Sequence, residues 1–224
     1  MSLVSQQEIT CGNCHHSFVA ELWSAVNVST DPELREEIIS GELNLVCCPY
    51  CGQMFYAEHF LLYHDPEEEL LVFVYPRAFD QQRSFWQKQM EKDFQKASQL
   101  IEGKINYQPE LMFGLQQLSE FLRREEEKAD EIAILCYVAE TLGLELLHFD
   151  KVAARHQNLV KILPLPVGQA VNRENILKGL EKLLNYNPGL SNFSLTRQKI
   201  LADSGWQPKI SARGKNKTRV KKHR

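Results

Sequence analysis

Alternating apolar and polar positions near the start of the chain predict a β-rich segment. Residues 18–28 alternate in this way and carry β-branched and aromatic side chains, as half-buried strands do. Further strands are predicted at residues 43–47, 54–57 and 70–75. Between the first two strands, Pro32 suits the first turn of a helix and Gly41 suits its end. We therefore expect residues 1–76 to form a small antiparallel sheet with one helix.

After Pro76 the apolar residues recur every three or four positions, which predicts amphipathic helices. The predicted helical faces span residues 86–101, 111–122, 132–142 and 176–184. A proline-rich passage at residues 163–168 reads as turns between them. Asn172 is expected to cap one helix, and Ser194 a last short helix ending at Gly205. Residues 80–207 are predicted to be a mostly helical domain of about four to six helices, which makes the chain an α+β protein.

The composition is that of an ordinary globular protein. The 224 residues suffice for one or two domains with a core, and 43% of them are hydrophobic and 25% charged. No segment approaches the roughly 20 uninterrupted apolar residues that span a bilayer, so no membrane contact is expected. Nucleotide-binding and hydrolase signatures such as a Gly-rich phosphate loop, Gly-x-Ser-x-Gly and His-Glu-x-x-His are absent from the sequence.

A net charge of −3 hides an asymmetry along the chain. From Lys209 to Arg224 there are eight Lys or Arg residues and no acid, which leaves 18 basic against 29 acidic residues, or −11, for residues 1–208. This basic tail is expected to be disordered when free, and its cations suit phosphate, so nucleic acid is a candidate partner. The alternative is a solubilising tail that folds back on the acidic body.

Two Cys-x-x-Cys pairs carry the chemistry of the chain. Cys11 and Cys14 form the first pair, and Cys48 and Cys51 form the second. Two such pairs offer four thiolates to one tetrahedral ion, and Zn²⁺ is the first candidate. Iron uses the same ligands and stays open at this stage. The sequence therefore predicts a metal site made of these four cysteines.

The residues around the two pairs suit metal-binding turns. Pro49 presets a turn dihedral after Cys48, and Gly52 follows Cys51 where a positive φ is often needed. His15 occupies the place of Gly52 in the first pair, where a left-handed backbone is tolerated at some cost. His15, His16 and Cys47 are not expected to be ligands, because four thiolates already fill a structural site.

Two other uses of the cysteines are weighed against the metal. A redox pair normally lies at a strand-to-helix junction, a context that neither pair is predicted to have. Disulfides are less favoured because the first ten residues do not read as a secretory signal, so a reducing, cytoplasmic location is expected. Cys136 lies in an apolar run and is predicted to be a buried small hydrophobe.

Several landmarks of the N-terminal third occur together. They are Ile9-Thr10-Cys11, the strand from Glu21 to Val28, the helix start Asp31-Pro32-Glu33-Leu34, the second pair with its Pro49 and Gly52, and the segment from Leu61 to Pro66. With this pattern, residues 8–76 resemble the CpXC domain family of bacteria and archaea. The resemblance implies a zinc-ribbon-like domain and brings no known reaction, and the family motif Cys-Pro-x-Cys is kept only in the second pair.

These features predict a non-enzymatic zinc-binding protein that acts as an interaction module. A protein partner is expected, and the basic tail is the candidate contact with nucleic acid or the ribosome. The alternative is a thiol-redox or hydrolytic enzyme that uses the cysteine or metal site, which would need a reactive thiolate or an open coordination position. No catalytic residue is predicted, since His64-Asp65 is better read as part of a turn between two strands.

Overall fold

The computed structural model describes residues 1–100 and 105–211 of the chain. It divides into two compact units, Met1–Arg123 and Arg124–Arg224. Ile101, the last residue of the first predicted helical face, lies outside the described residues, and so does most of the basic tail, from residue 212 onward. The predicted disorder of that tail therefore stays a prediction.

The first unit combines strands and helices in an irregular order. Its elements are β1 (Leu3–Thr10), β2 (Ser17–Asn27), α1 (Glu33–Ser40), β3 (Leu45–Cys47), β4 (Met54–Tyr56), β5 (Leu61–Asp65), β6 (Leu70–Tyr75), a 3-10 helix (Arg77–Gln82), α2 (Arg83–Leu100), β7 (Glu110–Phe113) and the first part of α3 (Leu115–Val138). The α+β class predicted from the sequence is confirmed. The predicted helix between Pro32 and Gly41 is present as α1, which Gly41 ends with a φ of 79°.

Five strands of this unit form one sheet in the order β1-β2-β5-β6-β7, while β3 and β4 pair separately. The pairs β1–β2 and β5–β6 are antiparallel, but β2–β5 and β6–β7 are parallel. The prediction of a purely antiparallel sheet was therefore wrong. Parallel neighbours need a crossover connection. The chain supplies two, one through α1 and the β3–β4 ribbon and one through α2.

Strand β6 lies at the centre of the core and is buried at all six positions. On one face of the sheet, side chains such as Tyr63 and Val72 pack with Ile38 of α1 and Leu118 of α3. On the other face, Phe73, Tyr75 and Phe113 pack with Trp86, Met90 and Phe94 of α2. Because both faces are covered, the strand is a continuous apolar run rather than an alternating one.

The division between the units falls at Arg123, whereas the sequence placed the change of domain near Pro76. The stretch after Pro76 returns to the sheet, because β7 pairs with β6 from Val72–Glu110 to Tyr75–Phe113. Leu111 was expected to begin a helix and lies in β7 instead. That residues 80–207 fold on their own stays a prediction, and such a fragment would take β7 away from its strand partner.

The second unit packs the end of α3 and three further helices against a pair of antiparallel strands. Its elements after α3 are β8 (Leu144–His148), α4 (Lys151–Gln157), β9 (Ile162–Pro166), α5 (Arg173–Tyr186) and α6 (Ser191–Ala202). Leu135, Leu163, Ile176, Leu180 and Phe193 are fully buried in its core. Cys136, next to Leu135 on α3, is exposed. The prediction that Cys136 is buried was wrong, because α3 directs the adjacent Leu135, and not Cys136, into the core.

The proline-rich passage predicted as turns is strand β9. Its prolines are paired with leucines of β8, Pro164 with Leu146 and Pro166 with Leu144. A proline fits a strand where its missing N–H would point away from the neighbouring strand. Phe149 N–H donates to the Lys161 carbonyl. Hydrogen-bonded positions alternate along an antiparallel pair, so the odd-numbered residues of β8 bond to β9. Both prolines lie opposite even-numbered residues, and their nitrogens therefore point away from β8. No ladder hydrogen bond is lost, so the prolines do not break the strand.

Gly179 brings α5 into direct contact with β9. A Cβ at this position would lie 2.2 Å from the carbonyl oxygen of Pro164, well inside van der Waals contact. We expect Gly179→Ala to lower the free energy of unfolding of this unit by about 2 kcal/mol, because the helix has to move off the strand. Gly205→Ala is the matched control, since a Cβ there meets its nearest atom at 3.5 Å. Chemical denaturation of both variants measures the effect, and equal stability of the two would contradict this packing.

The start of α6 is capped by a side chain of α3 rather than by the residue that precedes the helix. The helix begins at Ser191, three residues before the expected Ser194, and Leu190 before it provides no side-chain cap. The carboxylate of Glu131 accepts from the backbone N–H groups of Asn192 and Phe193 at 2.9–3.1 Å, and also from the Ser191 hydroxyl. An anion at a helix N-terminus satisfies free N–H groups and the helix dipole together.

Removal of the Glu131 charge should therefore weaken the second unit. We expect Glu131→Gln to reduce its free energy of unfolding by about 1 kcal/mol, because the negative charge at the helix start is lost and the amide keeps only one of the two acceptor oxygens. Glu127→Gln makes the same change at an exposed position of the same helix and should be silent. Urea unfolding followed by circular dichroism checks this, and an equal effect of the two variants would exclude a capping role.

Candidate metal centre

Both cysteine pairs lie in turns that join antiparallel strands. Cys11 and Cys14 lie between β1 and β2, and Cys48 and Cys51 lie between β3 and β4. Ribbon β3–β4 is only three residues long on each side, and Phe55 of β4 contacts Phe18 of β2 edge to face. The sheet and the ribbon thus carry one pair each, and both pairs lie in turns of the same kind.

The two turns have matching backbone hydrogen bonds. In the first, Cys11 N–H donates to the His16 carbonyl at 3.0 Å, and His15 N–H donates to the Cys11 carbonyl at 2.9 Å. In the second, Cys48 N–H donates to the Gln53 carbonyl and Gly52 N–H donates to the Cys48 carbonyl, both at 2.9 Å. The turns are therefore structural repeats of one another despite different sequences between their cysteines.

The residue after each second cysteine has a left-handed backbone. Gly52 has a φ of 72°, and His15, at the matching place, has a φ of 60°. The positive φ expected at both positions is confirmed. Glycine adopts this conformation freely, whereas histidine does so at a steric cost. The first turn is thus the more strained of the two.

The four sulfur atoms converge on one point. All of them lie within 4.8 Å of one another. The Sγ atoms of Cys11 and Cys51 are 3.7 Å apart, and those of Cys14 and Cys48 are 3.6 Å apart. A tetrahedron with metal–sulfur bonds of about 2.3 Å has edges of about 3.8 Å. All four are free thiols, so the spacing is that of metal ligands and not of disulfides.

Hydrogen bonds and crowding give three of the four thiols, those of Cys11, Cys14 and Cys51, unequal pKa values. Backbone N–H groups, that of Cys14 first, lower the pKa of Cys11. The N–H of Gln53, helped by the Asn13 side chain, lowers the pKa of Cys51 to about 6. At Cys14 the N–H of His16 favours the thiolate, but desolvation and the neighbouring thiols outweigh it and raise the pKa to about 12. Four close thiolates repel one another, and a bound cation would remove that repulsion.

The other side chains near the turns stay outside the cluster. Among the described residues, the four cysteines are the one group of His, Cys, Asp or Glu with metal-ligand spacing. Cys47 directs its thiol to the Gly52 carbonyl at 3.6 Å. The ring of His16 stacks on Tyr50 at 4.6 Å and bridges the two turns. Nothing in the sequence pattern indicated this stack, because the two residues are far apart in the chain.

His64 and Asp65 are also placed by the structure. They end strand β5, where the Asp65 carboxylate accepts from the Glu68 N–H at 3.1 Å in the turn that follows. His64 forms a hydrogen bond with the Tyr107 hydroxyl at 2.7 Å, and burial lowers its pKa. The sequence did not indicate the contact with Tyr107. Both residues therefore lie at the end of a strand and not in the turn itself, where they were predicted, because they pair with Leu71 and Leu70 of β6.

The fold and this site define a class of protein in which paired thiol turns hold a small α+β unit. The family model described as CpXC protein matches residues 9–136, and the chain belongs to this family. The match extends well past the resemblance seen at residues 8–76 and ends in α3, beyond the first unit. Neither a curated protein nor a solved structure significantly similar to the chain was found. Among the described residues, no helix combines the length and the apolar character that a bilayer span requires.

The two adjacent cysteines Cys47 and Cys48 allow a matched test of the cluster. We expect Cys48→Ser to abolish stoichiometric metal binding and to lower the melting temperature of the first unit, because one sulfur of the tetrahedron is lost. Cys47→Ser should change neither, since the Cys47 sulfur lies outside the cluster. Metal analysis and thermal unfolding measure both effects. Equal metal content in the two variants would remove Cys48 from the site.

Proposed function

We propose that this chain is a non-enzymatic zinc protein in which Cys11, Cys14, Cys48 and Cys51 hold one Zn²⁺, and that it acts as an interaction module. The observation that carries this proposal is the convergence of four sulfurs from two matching turns at the edge length of a tetrahedron. Four thiolates fill the coordination of zinc and leave no open position for a substrate. The metal's role is then structural.

A structural ion is well placed to stabilise the first unit. Ribbon β3–β4 is too short to be stable by itself, and its turn carries half of the ligands. A bound ion would tie this turn to the turn of β1–β2 and so fix the ribbon beside the sheet. Thiolate ligands require reduced cysteines, so the proposal includes a reducing compartment such as the cytoplasm.

The enzyme alternative is less well supported. A thiol-redox pair is activated at the start of a helix, and both pairs here lie in turns between strands. A hydrolytic metal site needs a position left open for water, which four thiolates do not leave. Thiol titration separates the two ideas. In native protein the four clustered thiols should resist alkylation until a chelator is added, whereas a redox enzyme would show a readily alkylated thiol at once.

Metal analysis tests the identity of the ion. We expect native mass spectrometry of protein purified without added metal to show one zinc per chain. Iron in the same site would give visible thiolate-to-iron absorption and would replace zinc in the proposal. Each bound thiolate displaces a proton, so affinity should fall as the pH is lowered, and the stability that the metal adds at neutral pH should be lost on acidification. Absence of both metals would overturn the proposal.

A protein partner belongs to the proposal as well. Tyr50, Met54 and Tyr56, on and beside the second turn, are each more than half exposed, at 60%, 57% and 54%. Aromatic residues and methionine are enriched at protein interfaces. When a bound ion holds the turn in place, these side chains form a rigid surface to which a partner protein can bind. The binding surface then depends on the metal.

The basic tail is proposed to contact nucleic acid. Lys209 and Ile210 already pair with the chain at Asp150 and Phe149, so truncation after Ser211 preserves the described structure and removes seven of the eight tail cations. We expect the truncated protein to lose RNA and DNA binding, because the remaining body is acidic and repels phosphate. Binding by the intact protein should fall steeply with salt and depend little on sequence.

Fluorescence anisotropy with a labelled oligonucleotide at several salt concentrations measures this. Equal affinity of the intact and truncated proteins at matched salt would refute the role of the tail. If neither form binds, the tail is a solubilising segment instead.

A further inference from the structure

The four clustered sulfurs differ in their access to solvent. Cys11 and Cys48, the first cysteine of each pair, are 0% and 1% exposed, while Cys14 is half-buried and Cys51 is exposed. The first cysteines follow directly on a strand, and the second ones lie in the turn. Cys51 is therefore the most exposed residue of the cluster and the one that a small oxidant in solution meets first.

Cys51 also has the contacts that an oxidised thiol needs. Its Sγ lies 3.7 Å from the Sγ of buried Cys11, on the other turn. The side-chain amide of Asn13 donates to the Cys51 sulfur at 3.6 Å, and this contact again crosses between the turns. A neighbouring thiol resolves a sulfenic acid. When a bound metal already holds Cys51 as a thiolate, an N–H donor at its sulfur reduces its nucleophilicity. Cys51 thus has Cys11 as a thiol that can form a disulfide with it, and Asn13 as a donor that tunes the reactivity of its sulfur.

We propose that Cys51 is an oxidation site for peroxides, and that its oxidation joins it to Cys11 in a disulfide and releases the metal. This inference rests on the proposed metal centre. The metal link between the two turns would then be reversible, because a reductant such as a cellular dithiol would restore the four thiols.

The proposed steps balance with hydrogen peroxide as the oxidant. The Cys51 thiolate attacks one peroxide oxygen, the O–O bond breaks, and the second oxygen leaves as water after taking up protons, which gives a sulfenic acid at Cys51. The Cys11 sulfur then attacks the Cys51 sulfur, an S–S bond forms, and the sulfenic oxygen leaves as a second water. Two thiols have lost two electrons to the peroxide. With two ligands gone, the metal ion leaves as an aquo ion.

The experiment starts from a variant that removes thiols outside the cluster. Cys47→Ser and Cys136→Ser together eliminate the two other exposed cysteines and leave the four clustered ones. The metal-loaded protein is treated with hydrogen peroxide, and metal release is followed with a colorimetric indicator. Free thiols are then alkylated and the protein is cut with trypsin.

Trypsin separates the two turns. Cleavage after Arg35 and Arg77 places Cys11 and Cys14 on one peptide, residues 1–35, and Cys48 and Cys51 on another, residues 36–77. We expect the two peptides to become joined, with fragment spectra placing the bond at Cys11 and Cys51, in step with release of one metal ion. A bond within residues 36–77, or release of metal without any disulfide, would overturn the proposal.

A substitution at Asn13 tests which sulfur reacts first. Asn13→Ala removes the N–H donor from Cys51 and should speed peroxide-dependent metal release about three- to tenfold, the weight of one hydrogen bond. Gln53→Ala is the matched control, because its side-chain amide donates to the Met54 carbonyl at 2.9 Å and not to a sulfur. Equal rates in both variants, or a sulfenic-acid trap that labels Cys14 instead of Cys51, would contradict the assignment.

The two proposals fail in different ways. If protein as purified contains no metal, the metal centre fails, and the same peptide mapping on the reduced chain still tests the Cys51–Cys11 bond. If the metal is present but peroxide leaves it bound, the metal centre stands and the oxidation site is wrong.

Discussion

Convergence of Cys11, Cys14, Cys48 and Cys51 on one point is the constraint on which the first unit depends. The two pairs are separated by 33 residues, which include all of β2 and α1. Bringing them together closes that loop, and an ion bound at the closure would offset the entropy that the loop loses. The same closure aligns the ribbon β3–β4 with the sheet, and the chain then enters β5 parallel to β2. The mixed sheet and the cysteine cluster are therefore consequences of one connection.

The chemistry of the cluster follows from its crowding. The four thiols are crowded whether they are neutral or ionised. The sulfurs of Cys11 and Cys51, and those of Cys14 and Cys48, are less than 4 Å apart. Backbone N–H groups stabilise negative charge on Cys11 and Cys51, while their neighbours oppose it on Cys14. No single protonation state suits these three thiols, whereas a divalent cation would stabilise the thiolate form of the whole cluster.

The sequence was informative where a local rule decides the structure. The positive φ after each second cysteine follows from turn geometry, which is why Gly52 and His15 could be assigned in advance. Asn172 caps α5 through its side chain, as its position before the apolar stripe indicated. The four cysteines were chosen from their spacing, and the structure brings their sulfurs together. In each case the deciding contacts lie within a few residues or within one repeated motif.

The sequence was less informative where distant segments decide. Strand β7 is four residues long and pairs in parallel with β6, and no local pattern separates it from the start of a helix. Cys136 is exposed because of the rotation of α3 against its core, which a short apolar run does not reveal. The cap of α6 comes from Glu131, some 60 residues earlier in the chain. Tertiary contacts, rather than propensity, settle such positions.

The prolines of β9 have a further consequence for how the second unit behaves among other chains. Pro164 and Pro166 direct their nitrogens away from β8, so the outer edge of β9 offers no N–H donors at these positions. The Pro164 carbonyl on that edge is approached by α5 at Gly179. An unfolded or misfolded neighbour would find neither the donors nor the space to add a strand there. The prolines thus protect this pair of strands against edge-to-edge aggregation, although in the sequence they look like interruptions of structure.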